Sequence, residues 1–465
     1  MIALVLAVAL ADEPVVDALG PMPAAGSPPA FTPPTPAVAK LDNGAALWVI
    51  EDHTLPLVAL RITVPGGAGR DPESALGLAT LSDQMMMKGT ADHTAQAFAE
   101  LGERLAINLS VTTTATDSIL DVSCKRDQLE TALDLVSEMI LEPTYGKKDL
   151  KLEKKLAIAD ITANLNEPTY VAARLAQKQW WGAGHSYAHP VDGTAAGLKA
   201  VKPADALQYH HNTWVASVAT ITVAGDVSPG DAKALLDARL APWSGFALNP
   251  FEVPPAPAHA GGIVAVDRPG SAQTMFTLVF DGVPFGDAAA PPLRDGTIVM
   301  GGTFTSRLNQ LLREKRGYTY GVKARMTEPR GDGVVIISTR IRTDATAPAS
   351  TDLVAELGRL KDGVTPEEVI KAQGAWRQDV VEAMETKEGV VDTFAPYQRA
   401  GLGPDAVAKA LVAMGAVTKA DVDAAMKTFD LSAKNYVWVL VGDKAVIGKP
   451  LADAGFTDVT WVEAE

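Results

Sequence analysis

Cysteine is almost absent: Cys124 stands alone among 465 residues. An intrachain disulfide is excluded, and so is a metal held by a thiolate cluster. Positive charge is also scarce, with 41 Lys and Arg against 56 Asp and Glu and a formal charge of −15. Nucleic acid and polybasic membrane contacts both need clustered positive charge, so neither is expected. The apolar run Ile2–Leu10 is far too short to span a bilayer, and no transmembrane segment is expected. What is present is a globular composition, 47% hydrophobic and 21% charged. The length exceeds what one core ordinarily supports and suggests two domains of about 200 residues each.

The N-terminal run, with Ala9-Leu10-Ala11 before Asp12-Glu13-Pro14, reads as a signal peptide over residues 1–11, although it lacks a basic start. Export to the periplasm or beyond is the corresponding expectation. Residues 12–37 include the proline-rich stretch Pro21–Pro36, which cannot bury enough apolar surface to fold and reads as a disordered tether. A second proline-rich stretch, Pro250–Gly262, marks the interior boundary. The predicted division is an N-terminal α+β domain over 38–246, a linker over 247–261 and a C-terminal α+β domain over 262–465.

Each half shows short β-prone segments, then an apolar helix, then alternating strands and an amphipathic helix. In the first half these are strands at Ala46–Ile50 and Leu57–Val64, helices at Leu76–Met87 and Thr94–Leu101, strands at Ile107–Thr113 and Ser118–Val122, and a helix at Leu129–Leu141. A long charged helix spans Lys147–Leu165, and a strand is predicted over Val215–Val223. In the second half the order recurs, with one helix predicted from about Leu293 to Arg316 and strands at Tyr320–Met326 and Gly333–Arg340. Recurrence of one order points to a duplicated unit.

Two stretches carry a resemblance. The first runs from Gly77 through Thr80, Asp83, Gln84, Lys88 and Gly89 to Thr90; the second from Gly301-Gly302 through Ser306-Arg307 and Arg313-Glu314-Lys315 to Gly317, Tyr318, Tyr320 and Gly321. Together they resemble the pitrilysin/insulinase family of zinc peptidases over about residues 38–465. That resemblance implies a duplicated α+β fold, each domain a mainly antiparallel sheet with helices on one face, the pair forming half of a clamshell chamber. Active members carry His-x-x-Glu-His, two zinc ligands and a general base, with a further glutamate ligand downstream. Here the matching residues are Thr80, Asp83 and Gln84; the downstream ligand position falls on Asp160, and Glu153 matches an accessory acid.

A hydroxyl and an amide cannot replace two imidazoles, because catalytic zinc takes three ligands from imidazole, thiolate or carboxylate. The chain is therefore expected to hold no metal. Asp83 keeps a carboxylate at the base position, one methylene short. The competing readings are a polar patch satisfied by mutual hydrogen bonds, and a weak hard-cation site from Asp83, Asp160 and Glu153. His185 with His189, and His210 with His211, have no acid at motif spacing and are expected to be structural. Gly301-Gly302 lacks the Lys-Ser/Thr of a phosphate loop and reads as a tight strand–helix turn.

Arg313 and Tyr320 match an arginine–tyrosine pair that the family's C-terminal half brings to the active site. A guanidinium suits a peptide carbonyl and a phenol suits an oxyanion. Otherwise Arg313 pairs with a local acid and Tyr320 packs at a strand start. A lost zinc motif beside a kept pair resembles the non-zinc subunit of the family's two-chain peptidases. That implies an unfolded peptide substrate, a zinc-bearing partner with His-x-x-Glu-His, and support in trans from Arg313 and Tyr320. The alternative is an inert scaffold or peptide-holding protein of the same fold.

Overall fold

The computed structural model describes residue 26 and residues 29–245, 253–329 and 331–463. The signal segment and most of the tether lie outside the described residues, as does part of the linker. The architecture below is that of residues 33–463. No helix among the described residues is long and apolar enough to cross a membrane.

Two six-stranded sheets organise the chain. The first contains β1 (Ala37–Lys40), β2 (Ala46–Glu51), β3 (Leu57–Pro65), β4 (Asn108–Thr113), β5 (Asp117–Lys125) and β6 (Thr220–Gly225), in the order β1-β2-β6-β3-β5-β4. The second contains β7 (Ile263–Asp267), β8 (Gln273–Asp281), β9 (Thr319–Thr327), β10 (Val334–Arg342), β11 (Tyr436–Gly442) and β12 (Val459–Val462), in the order β12-β7-β11-β8-β10-β9. Five strands correspond one to one, and in both sheets a late strand of the half pairs in parallel with an early one (β6 with β2, β11 with β7). The sixth strand breaks the likeness, since β1 is antiparallel to its neighbour and β12 parallel.

Helices α1 (Leu78–Met85), α2 (Ala95–Leu105), α3 (Leu129–Leu141), α4 (Lys147–Asn164), α5 (Pro168–Trp181), α6 (Ala195–Ala200), α7 (Pro203–Thr213) and α8 (Pro229–Leu240) belong to the first half. The second half adds α9 (Ala290–Thr297), α10 (Thr346–Gly358), α11 (Pro366–Ala383), α12 (Lys387–Arg399), α13 (Ala406–Gly415), α14 (Lys419–Ala425) and α15 (Lys444–Asp453). Thr94 caps α2 as expected, accepting from Ala97 N at 3.2 Å.

Alternation along the strands sends Leu47, Val49, Leu60, Ile62 and Val122 to one face, where α3 and α8 bury them. In the second half Phe276, Leu278 and Ile337 meet α10 and α15 in the same way. The opposite faces are covered by exchange. From the second half, α12 lays Val390, Val391 and Phe394 on Trp48, Ile50 and Ala59 of the first sheet. From the first half, α5 lays Val171, Ala176 and Trp180 on Met275, Val279 and Val439 of the second sheet. Each sheet thus carries its own helices on one face and a helix of the other half on the second.

The structure corrects two local readings. The helix expected over Leu293–Arg316 is interrupted: α9 gives way to a wide π-type turn over Ile298–Gly302, the chain bends at 303–306, and a second π-type segment runs Asn309–Lys315. Gly301-Gly302 lies inside the first of these turns and is not a strand–helix turn. Gly301 sits so close to β9 that a Cβ would stand 2.9 Å from Ala324 N. The strand expected over Val215–Val223 starts only at Thr220, because 216–218 form a 3-10 turn.

Candidate functional site

The short helix α1 is held by a buried acid from upstream. Asp71 accepts from Gly77 N at 2.7 Å and Ala79 N at 2.9 Å, satisfying two of the helix's free N–H groups. Burial pushes the Asp71 carboxyl up to about 7; the two N–H groups oppose that, and the charge of Asp83 adds to it. The loop ahead of α6 closes tightly on the same end: Gly193 has φ 77°, and a Cβ there would stand 2.4 Å from Gly77 Cα.

Thr80, Asp83 and Gln84 point to three different destinations. Thr80 Oγ1 donates to Val191 O at 2.5 Å. Asp83 is fully buried and turns into the fold, accepting from Thr113 Oγ1 (2.7 Å), Ser118 Oγ (2.5 Å) and Trp214 Nε1 (3.0 Å). Burial pushes its carboxyl up to about 6 against these three bonds. Gln84 is exposed. The expected mutual hydrogen bonds are not made; each residue that is satisfied finds its partner elsewhere. On α4, Asp160 is exposed, while Glu153 is paired with Lys88 Nζ at 3.1 Å.

One histidine of each expected pair is tied to the backbone. His185 Nε2 lies 2.8 Å from Pro254 O, and His210 Nε2 lies 2.8 Å from Ile140 O, with burial pushing His210 down to about 4. Among the described residues no group of three or more His, Cys, Asp or Glu is arranged to hold a metal ion.

In the second half, Arg313 lies on the second π-type segment and Tyr320 at the start of β9. The Arg313 guanidinium stacks on the Phe304 ring at 3.9 Å and is 3.4 Å from Glu314. Tyr320 is 90% exposed, so it does not pack at the strand start, and Phe304 is 58% exposed. Asn309 ties the region together. Its amide nitrogen donates to Thr303 O (3.0 Å), Ser306 Oγ (3.1 Å) and Val322 O (2.9 Å), and its oxygen accepts from Val322 N at 2.8 Å. One side chain therefore fixes both the loop carrying Phe304 and the strand carrying Tyr320. Asp71, Trp214, Phe304 and Asn309 were not singled out from the sequence. Phe304 and Asn309 lie inside the second motif stretch; Asp71 and Trp214 carry no local signal.

Comparison with known proteins decides the family. The profile of the insulinase family (peptidase family M16) matches residues 47–188, and that of the peptidase M16 inactive domain matches residues 200–375. The chain belongs to the peptidase M16 family. It is similar to an uncharacterized zinc protease, YmxG, of Bacillus subtilis, 23% identical over 74% of this chain and 83% of that protein. It is also similar to a protein of Helicobacter pylori named non-peptidase homolog YmxG, 25% identical over 61% of this chain and 66% of that one. The crystal structure of a peptidase M16 inactive domain from Pseudomonas fluorescens shares the fold, with a TM-score of 0.82 at 24% identity over 88% of this chain and 98% of that one.

Within the M16 frame, the zinc ligand set does not fit this chain. At the residues matched to the zinc motif, Thr80 spends its hydroxyl on a carbonyl, Gln84 offers an amide, and Asp83 is held inside by three donors. A neutral hydroxyl and amide give zinc no adequate ligand. This M16 domain is degenerate.

Proposed function

We propose that this chain is the non-zinc subunit of a two-chain metallopeptidase, helping to bind and orient an unfolded peptide for a zinc-bearing paralogous partner. One observation carries the reading. At the degenerate motif every strong donor or acceptor except Gln84 is consumed or turned inward, whereas the Tyr320 phenol stands 90% exposed with no hydrogen bond to another described residue. Arg313, seven residues earlier in the chain, has its guanidinium set over the Phe304 ring. A fixed planar fork and an open phenol suit a carbonyl that gains negative charge. The partner would contribute the metal, which lowers the pKa of bound water; this chain contributes the two donors. Export, on the strength of the N-terminal apolar run, belongs to the same proposal.

A second reading, a catalytically inert scaffold or peptide-holding protein, is supported by the lost ligands themselves. The name of the Helicobacter relative, a non-peptidase homolog, points the same way. The test is co-purification from the native host, followed by zinc and peptidase assays on the chain alone and with its companion. In the reconstituted pair, Arg313→Ala and Tyr320→Phe are expected to lower kcat about 10²-fold or more while assembly is unchanged. Unaltered turnover in both variants selects the scaffold.

A further inference from the structure

Where α5 stops short on the second sheet, a cavity of about 320 Å³ opens between that helix and β8, β10 and β9. Helix α5 packs on β11 and β8, so the inner face of β10 and β9 beyond them stays uncovered. Trp180, Trp181, Tyr187, Met275 and Ile336 make the apolar wall. Two polar atoms in that wall are buried without a hydrogen-bond partner: Trp180 Nε1 and Thr277 Oγ1, on residues 1% and 4% exposed. Native structures leave few such groups unsatisfied, and each asks for an explanation.

The charge around the cavity is unusual for this chain. No Asp or Glu lines it, although the chain carries 56 of them. Arg325 stands at its mouth, and Lys323, two residues along β9, shares that face. Both are exposed, and neither forms an ion pair with a described carboxylate. The free rim of β9 is closed at Val322 by the Asn309 amide, so a peptide cannot add there as a strand. At the Val322 end of β9 a passing chain is held by its side chains.

We infer that this cavity is a side-chain pocket for an acidic peptide, taking one bulky aromatic residue between α5 and β10 while a neighbouring carboxylate meets Arg325 and Lys323. The inference rests on the peptide-binding part of the proposed function and names its substrate class. Burying a phenyl ring contributes more to binding than an exposed charge pair does. The ring therefore sets affinity and the rim sets preference.

The experiment measures fluorescence anisotropy of a fluorescein-labelled nonapeptide, glycine and serine apart from a central Glu-Phe-Glu, with the full chain alone. Binding is expected to be at least about ten-fold tighter than that of the Glu-Ala-Glu peptide. Arg325→Glu should weaken it about five-fold and improve binding of a Lys-Phe-Lys peptide. Ala173→Trp, at an exposed position on the cavity's edge, should erase the preference for phenylalanine, with circular dichroism unchanged. Equal binding of the Phe and Ala peptides overturns the pocket, as does wild-type binding by both variants. Competition by free phenylpropionate as strong as that by the peptide marks a small-molecule site and also overturns it. Because no partner or turnover is involved, failure here leaves the Arg313 and Tyr320 test standing, and failure there leaves this one.

Discussion

The indole N–H of Trp214 donates to Asp83 Oδ1 at 3.0 Å, across 131 residues of sequence. With Thr113 and Ser118 on the other oxygen, it turns the only acid of the degenerate motif into the interior. What stands at a general-base position in the pattern serves here as a buried anchor between α1, the β4–β5 hairpin and the residue after α7.

That burial has a sign in pH. Asp83 rises from 3.8 to about 6 on folding, and Asp71 from 3.8 to about 7. A raised acid stabilises the fold fully below its unfolded value, and the contribution is lost as pH climbs through the folded one. Between pH 4 and 7 the loss from Asp83 is on the order of 3 kcal/mol. Urea denaturation should show stability falling over that window, and Asp83→Asn should flatten the slope. At the acid end Asp52, held down to about 2 first by its bond to Lys387, works the other way, and its contribution fades below about pH 4.

Metal content gives a second test. The wild-type chain, dialysed against micromolar zinc, is expected to retain less than one equivalent. Thr80→His with Gln84→His sets two imidazoles four residues apart on α1, where helix geometry lets them meet one ion. The double variant should gain zinc by elemental analysis, whereas Gln84→His alone should not. Tight uptake by the wild type would contradict the degenerate reading.

Asn309 makes four hydrogen bonds from a position 4% exposed. Asn309→Ala strands the N–H and C=O of Val322 at the rim of β9, and a buried orphan costs about 1–3 kcal/mol. A loss of about 2–4 kcal/mol in chemical denaturation is expected. Gln in its place should recover little, because the longer arm misses the strand.

The exchanged helices predict the form of unfolding. Phe394, fully buried on the first sheet, belongs to the second half. Lys387 on the same helix is paired with Asp52, and Arg399 with Asp117. Phe394→Ala should cost about 3–5 kcal/mol, and calorimetry should show one transition moving as a unit. Two separated transitions would mean that the halves are independent.

Much of this was legible along the chain, and the reason differs by element. Strands β4 and β5 are legible because alternation is a local pattern, and β3 because it is a short apolar, β-prone run. The stretches forming α5 and α12 gave no clear pattern, since α5 carries little amphipathic contrast in TYVAARLAQKQWW and its apolar side answers a sheet elsewhere in the sequence. Helix propensity ran straight through Leu293–Arg316, yet the close approach of Gly301 to Ala324 and the hold of Asn309 on Val322 broke the run. Arg313 and Tyr320 stand out only through the family resemblance, and the Phe304 ring under the guanidinium does not stand out at all.

The sequence by itself carried the family resemblance and the absence of two imidazoles at the matched motif residues, because residue type at a matched position is read directly from the chain. Only the tertiary structure decided which way Asp83 faces, where the long helix breaks and which helix covers which sheet. Those outcomes depend on partners more than a hundred residues away, such as Trp214 for Asp83, and no local pattern records them.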